Sequence, residues 1–423
     1  MKNNLSLLGM LLLILTLWVS TGLSTSTEIN KKHILSEIDK NLVQANNRLG
    51  LKLFRKLAFD EIDDNIFISP FSISSALSMT LNGAKDSTFD SMQKTLEQHE
   101  LSLEENNNSN QNLLRMLSNL DSTIILEIAN SIWFNDTFPV LDKFTGINHA
   151  YYNAEVNPLD FGGADACKLI NDWVGKKTNG KIKDIVNPPI DPATVMFLIN
   201  AIYFKADWNF PFEKSKTEID RFKLPDNTNE QCALMMQNNE FDYYENDFFQ
   251  AIDLPYGNKQ YSMMIFLPKT SNGEDINSLT EKFTHTKWLN WSSRFSNHKV
   301  ELYMPKFEIE YTVLLNKSLK QLGMSIAFNP KYADFKKMYD TTLCKDNIFI
   351  DEVLHKSYIK VDEEGTEAAA VTKVTMKAMT TSFHLPPKKV VMRIDHPFIF
   401  VIKDKQSNSI LFMGKITNPG LLE

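Results

Sequence analysis

Serine, histidine, cysteine and carboxylate side chains carry most protein catalysis, and their spacing in this chain argues against an enzyme. The 423 residues hold no His-Glu-x-x-His, no Cys-x-x-Cys and no Gly-x-Ser-x-Gly. Those spacings set two imidazoles on one helix face for zinc, pair two thiols, or expose a serine on a tight strand-to-helix turn. The histidines (His33, His99, His149, His285, His298, His355, His384 and His396) show no metal-ligand spacing. Gly175 to Lys181 does match the Gly-x-x-x-x-Gly-Lys phosphate cradle, yet Ile182 follows where a magnesium-binding hydroxyl is required. The preceding Asn171-Asp172-Trp173-Val174 reads as helix rather than strand, the wrong context for that cradle. No cofactor, metal or catalytic residue is expected. Cys167, Cys232 and Cys344 are too few and too scattered for a disulfide framework, and the odd count leaves at least one thiol free or paired with another chain.

One stretch has a pattern that calls for explanation: Val361-Asp362-Glu363-Glu364-Gly365-Thr366-Glu367-Ala368-Ala369-Ala370-Val371-Thr372-Lys373-Val374. It opens as an acidic turn with one glycine and becomes a run of small residues. With a period of two, Thr366, Ala368, Ala370, Thr372, Val374, Met376 and Ala378 share a face without a charge. Glu367, Ala369, Val371, Lys373, Thr375 and Lys377 share the other, which carries every charge after Gly365. A strand of that kind slots into a sheet buried on one side. The alanines favour helix, and the run is neither aromatic nor strongly β-branched. The segment is conformationally undecided.

The elements that must position it belong to an ordinary globular chain, 43% hydrophobic and 23% charged, with 28 Phe and 17 Met for a large core. A net charge of −7 supplies no basic field for nucleic acid. Residues 86–120 carry Lys94 and Arg115 among several acids, and Lys176, Lys177, Lys181 and Lys183 form a small loop cluster. Both read as solvated faces, so no site for heparin or another polyanion is expected. Lys2, the apolar run Leu5–Val19 and the small residues Ser20-Thr21-Gly22-Leu23-Ser24 are laid out as a secretory leader, with residues 1–22 as signal peptide. The run is short for a membrane span, and no later segment reaches spanning length. A secreted, extracellular, monomeric protein with no membrane partner is expected, its single domain covering 23–423. Asn107, Asn135, Asn290 and Asn316 head Asn-x-Ser/Thr acceptors for glycosylation.

Helical spacing runs from Ile34 to Phe59, a short strand from Asn65 ends at Pro70, and Ser72 is the expected N-cap of a helix to about Asn82. Residues 86–120 read as polar helix broken by a surface loop at Asn106–Asn110. Thr123–Phe134 reads as a strand, 168–176 as a helix end closed by Asn179-Gly180, and Val195–Phe204 as a central strand. Strands at 250–254 and 261–267 flank the turn Pro255-Tyr256-Gly257-Asn258; 300–309 is read as another strand, and Thr312–Leu322 as a helix closed by Gly323. Apolar runs at 398–402 and 410–413 make a final hairpin. The class is α+β.

These residues resemble the serpin family from about Ile34 to Pro419. The resemblance rests on Phe67-Ile68-Ser69-Pro70-Phe71-Ser72-Ile73, Asn171-Asp172-Trp173-Val174, Thr178-Asn179-Gly180-Lys181-Ile182 and Asn200-Ala201-Ile202-Tyr203-Phe204-Lys205-Ala206-Asp207-Trp208. It rests further on Leu254-Pro255-Tyr256, the stretch at 361–374, His396-Pro397-Phe398, Leu411-Phe412-Met413-Gly414-Lys415 and Asn418-Pro419. The resemblance implies three β-sheets, about nine helices and an exposed reactive loop at about 363–387. A target protease attacks that loop and forms an acyl-enzyme; the cut loop then enters the central sheet as a new strand and carries the protease to the opposite pole.

By the same resemblance Glu363, Glu364, Gly365, Thr366, Glu367, Ala368, Ala369, Ala370 and Thr372 form the hinge. Ser69, Ser72, Asn200 and His355 form a polar cluster beneath the sheet where strands must part. Trp208 lies under the loop's entry point, and Lys306 faces Glu363. About fifteen inserted residues at ~3.3 Å each span roughly 50 Å, enough to cross a domain of this size. A charge or large side chain on the inward face would slow insertion, and Thr366, Ala368, Ala370 and Thr372 avoid that, as in inhibitory members. The family's spacing puts the reactive bond at Met379-Thr380, suited to chymotrypsin-like or elastase-like pockets. Lys377-Ala378, suited to trypsin-like enzymes, and Phe383-His384, suited to chymotrypsin-like ones, stay open because the segment before Pro397 is long. The expected partner is a serine protease or a cysteine protease; the other reading is a non-inhibitory carrier or chaperone.

Overall fold

The computed structural model describes residues 35–366 and 390–422. The leader, the hinge residues Glu367, Ala368, Ala369, Ala370 and Thr372, and all three pairs read as reactive bonds lie outside the described residues. The elements belong to one unit, Glu37–Glu423, distinct from Met1–Ser36.

Apolar side chains at helical spacing make Glu37–Asp60 (α1) amphipathic, and Leu42, Leu49, Leu53 and Leu57 are buried. The chain continues through β1 (Ile66–Ile68), α2 (Pro70–Leu81), α3 (Asp86–Thr95), α4 (Leu103–Leu117), β2 (Ile125–Asn135), α5 (Asp142–Tyr152), β3 (Glu155–Leu159), α6 (Ala166–Lys177) and β4 (Met196–Asp207). Next come β5 (Glu218–Lys223), β6 (Asn229–Glu245), β7 (Phe249–Pro255), β8 (Tyr261–Pro268), α7 (Ile276–Lys282), α8 (His285–Ser292), β9 (Ser296–Pro305), β10 (Phe307–Leu314) and α9 (Asn316–Leu319). The last are β11 (Leu354–Val361), β12 (Gly365–Thr366), β13 (Val390–Arg393), β14 (Phe398–Asp404) and β15 (Ile410–Ile416).

One six-stranded sheet runs β10-β11-β12-β4-β2-β3. The other runs β1-β15-β14-β8-β7-β6-β9-β13, with β5 on β6, making nine strands. Three sheets were expected; two are joined because the 17-residue β6 pairs with β5 near its start, with β9 along its middle and with β7 at its end. Helix α2 packs between α1 and β4, with Ser72 bonded to Asn200 of β4 and Ser74 to Asn46 of α1. No helix among the described residues is long and apolar enough to cross a membrane.

Four local readings change. Ser69, not Ser72, caps α2: its Oγ accepts the Ser72 N–H at 3.2 Å, and Pro70 takes the first helical position, where its missing N–H costs nothing. Asn106–Asn110 are helical and mostly buried, not a surface loop. Asparagine disfavours helix by competing for backbone groups, but Asn107 donates to Asn82 and accepts from the Tyr152 hydroxyl, each at 2.9 Å, which removes its competition. The strand read over 300–309 is two strands in different sheets. Their burial alternation slips at Met304-Pro305, and proline has no N–H to continue a ladder. Finally, Thr312–Leu314 extend β10, and the helix begins only at Asn316.

The phosphate-cradle match is a helix end. Gly175 lies inside α6, Asn179 and Gly180 turn the chain at φ 51° and 77°, and the Gly180 N–H donates to the Gly175 carbonyl at 2.7 Å.

Candidate functional site

The acidic turn after β11 is a hairpin. Oδ1 of Asp362 accepts the N–H groups of Glu364 and Gly365 at 3.0 and 3.3 Å, and the Asp362 N–H donates to the Gly365 carbonyl at 3.0 Å. The chain returns as β12, with Thr366 opposite Val361 on one side and Ala206 on the other. Gly365 stands opposite Asp207 so closely that a Cβ there would lie 2.1 Å from the Ala206 carbonyl oxygen. Only glycine fits. Thr366 is 2% exposed, and its Oγ1 shares a 2.6 Å hydrogen bond with the Tyr256 hydroxyl.

Trp208 closes this end of the sheet. Its N–H donates to the Glu364 carbonyl at 2.8 Å, its indole Nε1 donates to the Asp362 carbonyl at 3.0 Å, and its ring stacks on Tyr256 at 4.4 Å. Phe212 adds an N–H to the Glu363 carbonyl at 2.8 Å. Lys306, at the junction of β9 and β10, pairs with Glu363 at 3.5 Å, and Thr217 donates to Glu363 Oε1 at 2.8 Å. Burial works to raise the Glu363 pKa, but the Thr217 bond, a backbone N–H and Lys306 together hold it below the ordinary carboxylate value. Lys214 reaches Glu364 at 2.6 Å from an exposed position. Burial raises the Asp207 carboxyl, reinforced by Glu364 and Asp362 against the pull of Lys205.

Six residues down β4 from Ala206, about 20 Å at strand rise, the N-terminus of α2 spans the gap between β4 and β11. On the β4 side the Ser72 hydroxyl donates to Asn200 Oδ1. Asn200 Nδ2 donates to Asn130 Oδ1 on β2 at 2.6 Å, and Asn130 Nδ2 donates to the Tyr152 carbonyl at 2.6 Å. On the β11 side the Ser69 N–H donates to His355 Nε2 at 3.2 Å, and Ser357 Oγ donates to the Phe67 carbonyl at 2.5 Å. Burial pushes the His355 pKa down to about 4, so the imidazole is neutral and Nε2 is free to accept. One helix terminus thus ties β4 on one side and β11 on the other. Below Ala206 on β4, and below Val361 on β11, no ladder partner occupies the facing edges among the described residues.

The structure therefore gathers Ser69, Ser72, Asn200 and His355 into one cluster, and Trp208, Lys306, Glu363, Glu364, Gly365 and Thr366 into another. Sequence reading missed Asn130, Thr217, Lys214 and Ser357; an isolated polar residue in a strand or a connecting turn carries no spacing signal. In the sequence Tyr256 belongs to a turn and to the Leu254-Pro255-Tyr256 motif, and neither gives it a role of its own. Among the described residues no cluster of His, Cys, Asp and Glu could hold a metal. Of the glycosylation candidates, Asn107 is corrected. It is 5% exposed, its Nδ2 donates to Asn82 and its Oδ1 accepts from Tyr152, leaving no room for a glycan. Asn316 spends its Nδ2 on the Asp351 carbonyl at 2.5 Å, Asn135 is half-buried, and Asn290 is exposed.

Comparison with known proteins gives this geometry a context. The family model for serpins (serine protease inhibitors) matches residues 44–419. An uncharacterized serpin-like protein of Thermococcus kodakarensis is 36% identical, covering 90% of this chain and 86% of its own. The human leukocyte elastase inhibitor is 34% identical, covering 90% of this chain and 100% of its own. Among solved structures, human thyroxine-binding globulin complexed with thyroxine superposes with a TM-score of 0.80 at 28% identity, covering 90% of this chain and 99% of that one.

Proposed function

The chain belongs to the serpin family, and on that premise we propose that it is a suicide inhibitor of serine proteases rather than an enzyme. The observation that carries the reading is the seat of Gly365 and Thr366, two hinge residues already held as β12 between β4 and β11. Behind them the sequence keeps Ala368, Ala370 and Thr372 small and uncharged on the same face as Thr366. A protease that opens the loop at Met379-Thr380, Lys377-Ala378 or Phe383-His384 frees the strand to follow its first residues into the sheet. The acyl bond to the protease then travels with it before water can hydrolyse it. The similarity to the leukocyte elastase inhibitor supports a protease as partner. The leader pattern at residues 1–22 supports secretion.

Incubation with trypsin, chymotrypsin and elastase tests this. A covalent complex that survives SDS is the expected result, and N-terminal sequencing of the released carboxy-terminal fragment assigns the reactive bond. Cleavage by every protease with full residual activity would sink the inhibitor reading. It would favour a non-inhibitory carrier, the role for which the likeness to thyroxine-binding globulin speaks.

A further inference from the structure

Resting on the inhibitor reading, we propose that Tyr256 is a positioning residue for loop insertion: its phenol seats Thr366 as the first inserted residue and holds the new strand's nucleus in place before any cleavage. Both side chains are buried, at 0% and 2% exposure, and their 2.6 Å bond is the only hydrogen bond of either hydroxyl among the described residues. The phenol oxygen is placed by the scaffold, not by the hinge. The ring stacks on Trp208 at 4.4 Å, with Phe204 against it edge-on at 5.3 Å. The Tyr256 N–H donates to the Tyr261 carbonyl at 2.9 Å, and the turn beyond is pinned where Asp121 Oδ2 accepts the Asn258 N–H at 2.8 Å. Gly257, at φ 40°, passes Asp121 so closely that a Cβ would lie 2.5 Å from Oδ2.

Strand pairing is slow to start because chain entropy is lost before ladder bonds repay it. A hinge already seated has crossed that step. Once the loop is cut, insertion competes with hydrolysis of the acyl-enzyme, so whatever holds the nucleus sets how many inhibitor molecules are consumed per protease trapped. A chain without the seat has to start the strand during the race.

The test is a double-mutant cycle of near-isosteric variants. Tyr256→Phe strands the Thr366 hydroxyl, Thr366→Val strands the phenol, and the double variant removes both groups and restores an apolar fit. Each single variant should raise the moles of inhibitor consumed per protease by about fivefold or more, as expected for a buried hydroxyl without a partner. The double variant should return to within about twofold of wild type. A residue that merely fills space would show no such rescue. In the uncleaved protein, hydrogen exchange of the peptide covering residues 361–366 should quicken by about tenfold in the single variants and slow again in the double. Single variants with wild-type stoichiometry and exchange overturn the proposal, as does a double variant no better than the worse single. If the wild-type protein traps no protease, the inhibitor reading fails alone, and the exchange pattern still decides whether Tyr256 seats the hinge.

Discussion

His355 is the side chain whose chemistry most constrains the resting molecule. Its Nε2 accepts from the Ser69 backbone only while the ring is neutral, and burial holds its pKa at about 4 against about 6.5 in an unfolded chain. Between those values the unfolded chain binds the extra proton and the folded one does not, so stability rises with pH across that window. On acidification from about pH 6.5 to 4 the protein should lose on the order of 3 kcal/mol through this residue alone. His355→Gln keeps an acceptor without a titrating ring. Unfolding midpoints measured from pH 7 to 4 should fall more steeply in wild type than in the variant, and parallel curves would remove His355 from the account. Glycan mapping of the protein expressed through a secretory pathway gives a second residue-scale outcome. Asn290 should be modified, and Asn107, locked between Asn82 and Tyr152, should not. Family motifs brought Ser69, Ser72, Asn200 and His355 into view as a group; Asn130 stayed hidden because nothing in its neighbours' types marks a cross-strand amide pair.

At the scale of elements, legibility followed how locally each element is determined. Helix α1 was readable because its apolar residues recur at helical spacing from Leu42 to Leu57, and the 255–258 turn because Pro, Gly and Asn sit together. The misreadings come from partners distant in sequence: Asn107 is helical because of Asn82 and Tyr152, and β9 gives way to β10 because β11 takes over the pairing from Phe307. The hairpin 361–366 shows the same dependence. Its turn is written locally in Asp362 and Gly365, but whether β12 forms is decided by the gap between β4 and β11. Two substitutions separate these levels. Gly365→Ala puts a methyl 2.1 Å from the Ala206 carbonyl, so the hinge should sit outside the sheet and hydrogen exchange at Thr366 should be fast in the uncleaved protein. Thr366→Arg instead brings an unpaired charge to a buried position, a cost of several kcal/mol. That variant should be cleaved to completion with little covalent complex on SDS gels. A Thr366→Arg protein that still traps protease at wild-type stoichiometry would show that the inward face need not be small and uncharged.

For the whole molecule, the question is what the open edges are worth. Of the twelve residues of β4 only Ala206 and Asp207 pair with β12, and of the eight of β11 only Val361 does. The remaining edges face each other across a gap held by the polar bonds of Ser69 and Ser72, so among the described residues the resting fold leaves backbone donors and acceptors inside the six-stranded sheet without ladder partners. Filling that gap with the cut loop adds ladder bonds on both sides of a new strand. At ~1 kcal/mol net each, these supply on the order of 10–15 kcal/mol, comparable with the whole stability of an ordinary domain. Ordering the inserted residues takes up part of that gain, and burial of the small, uncharged face offsets part of that cost, so the net gain is a fraction of the gross. A gain of even 5 kcal/mol corresponds to a rise of roughly 6 °C in unfolding midpoint for a domain of this length. The experiment is to cut the loop with a non-target protease, keep the two fragments together, and compare thermal unfolding of cut and intact protein. A higher midpoint in the cut form is expected for wild type, and none for Thr366→Arg, whose charge bars the first step. An unchanged midpoint in wild type would mean that the loop stays outside the sheet after cleavage, leaving the open edges of β4 and β11 without the role assigned to them.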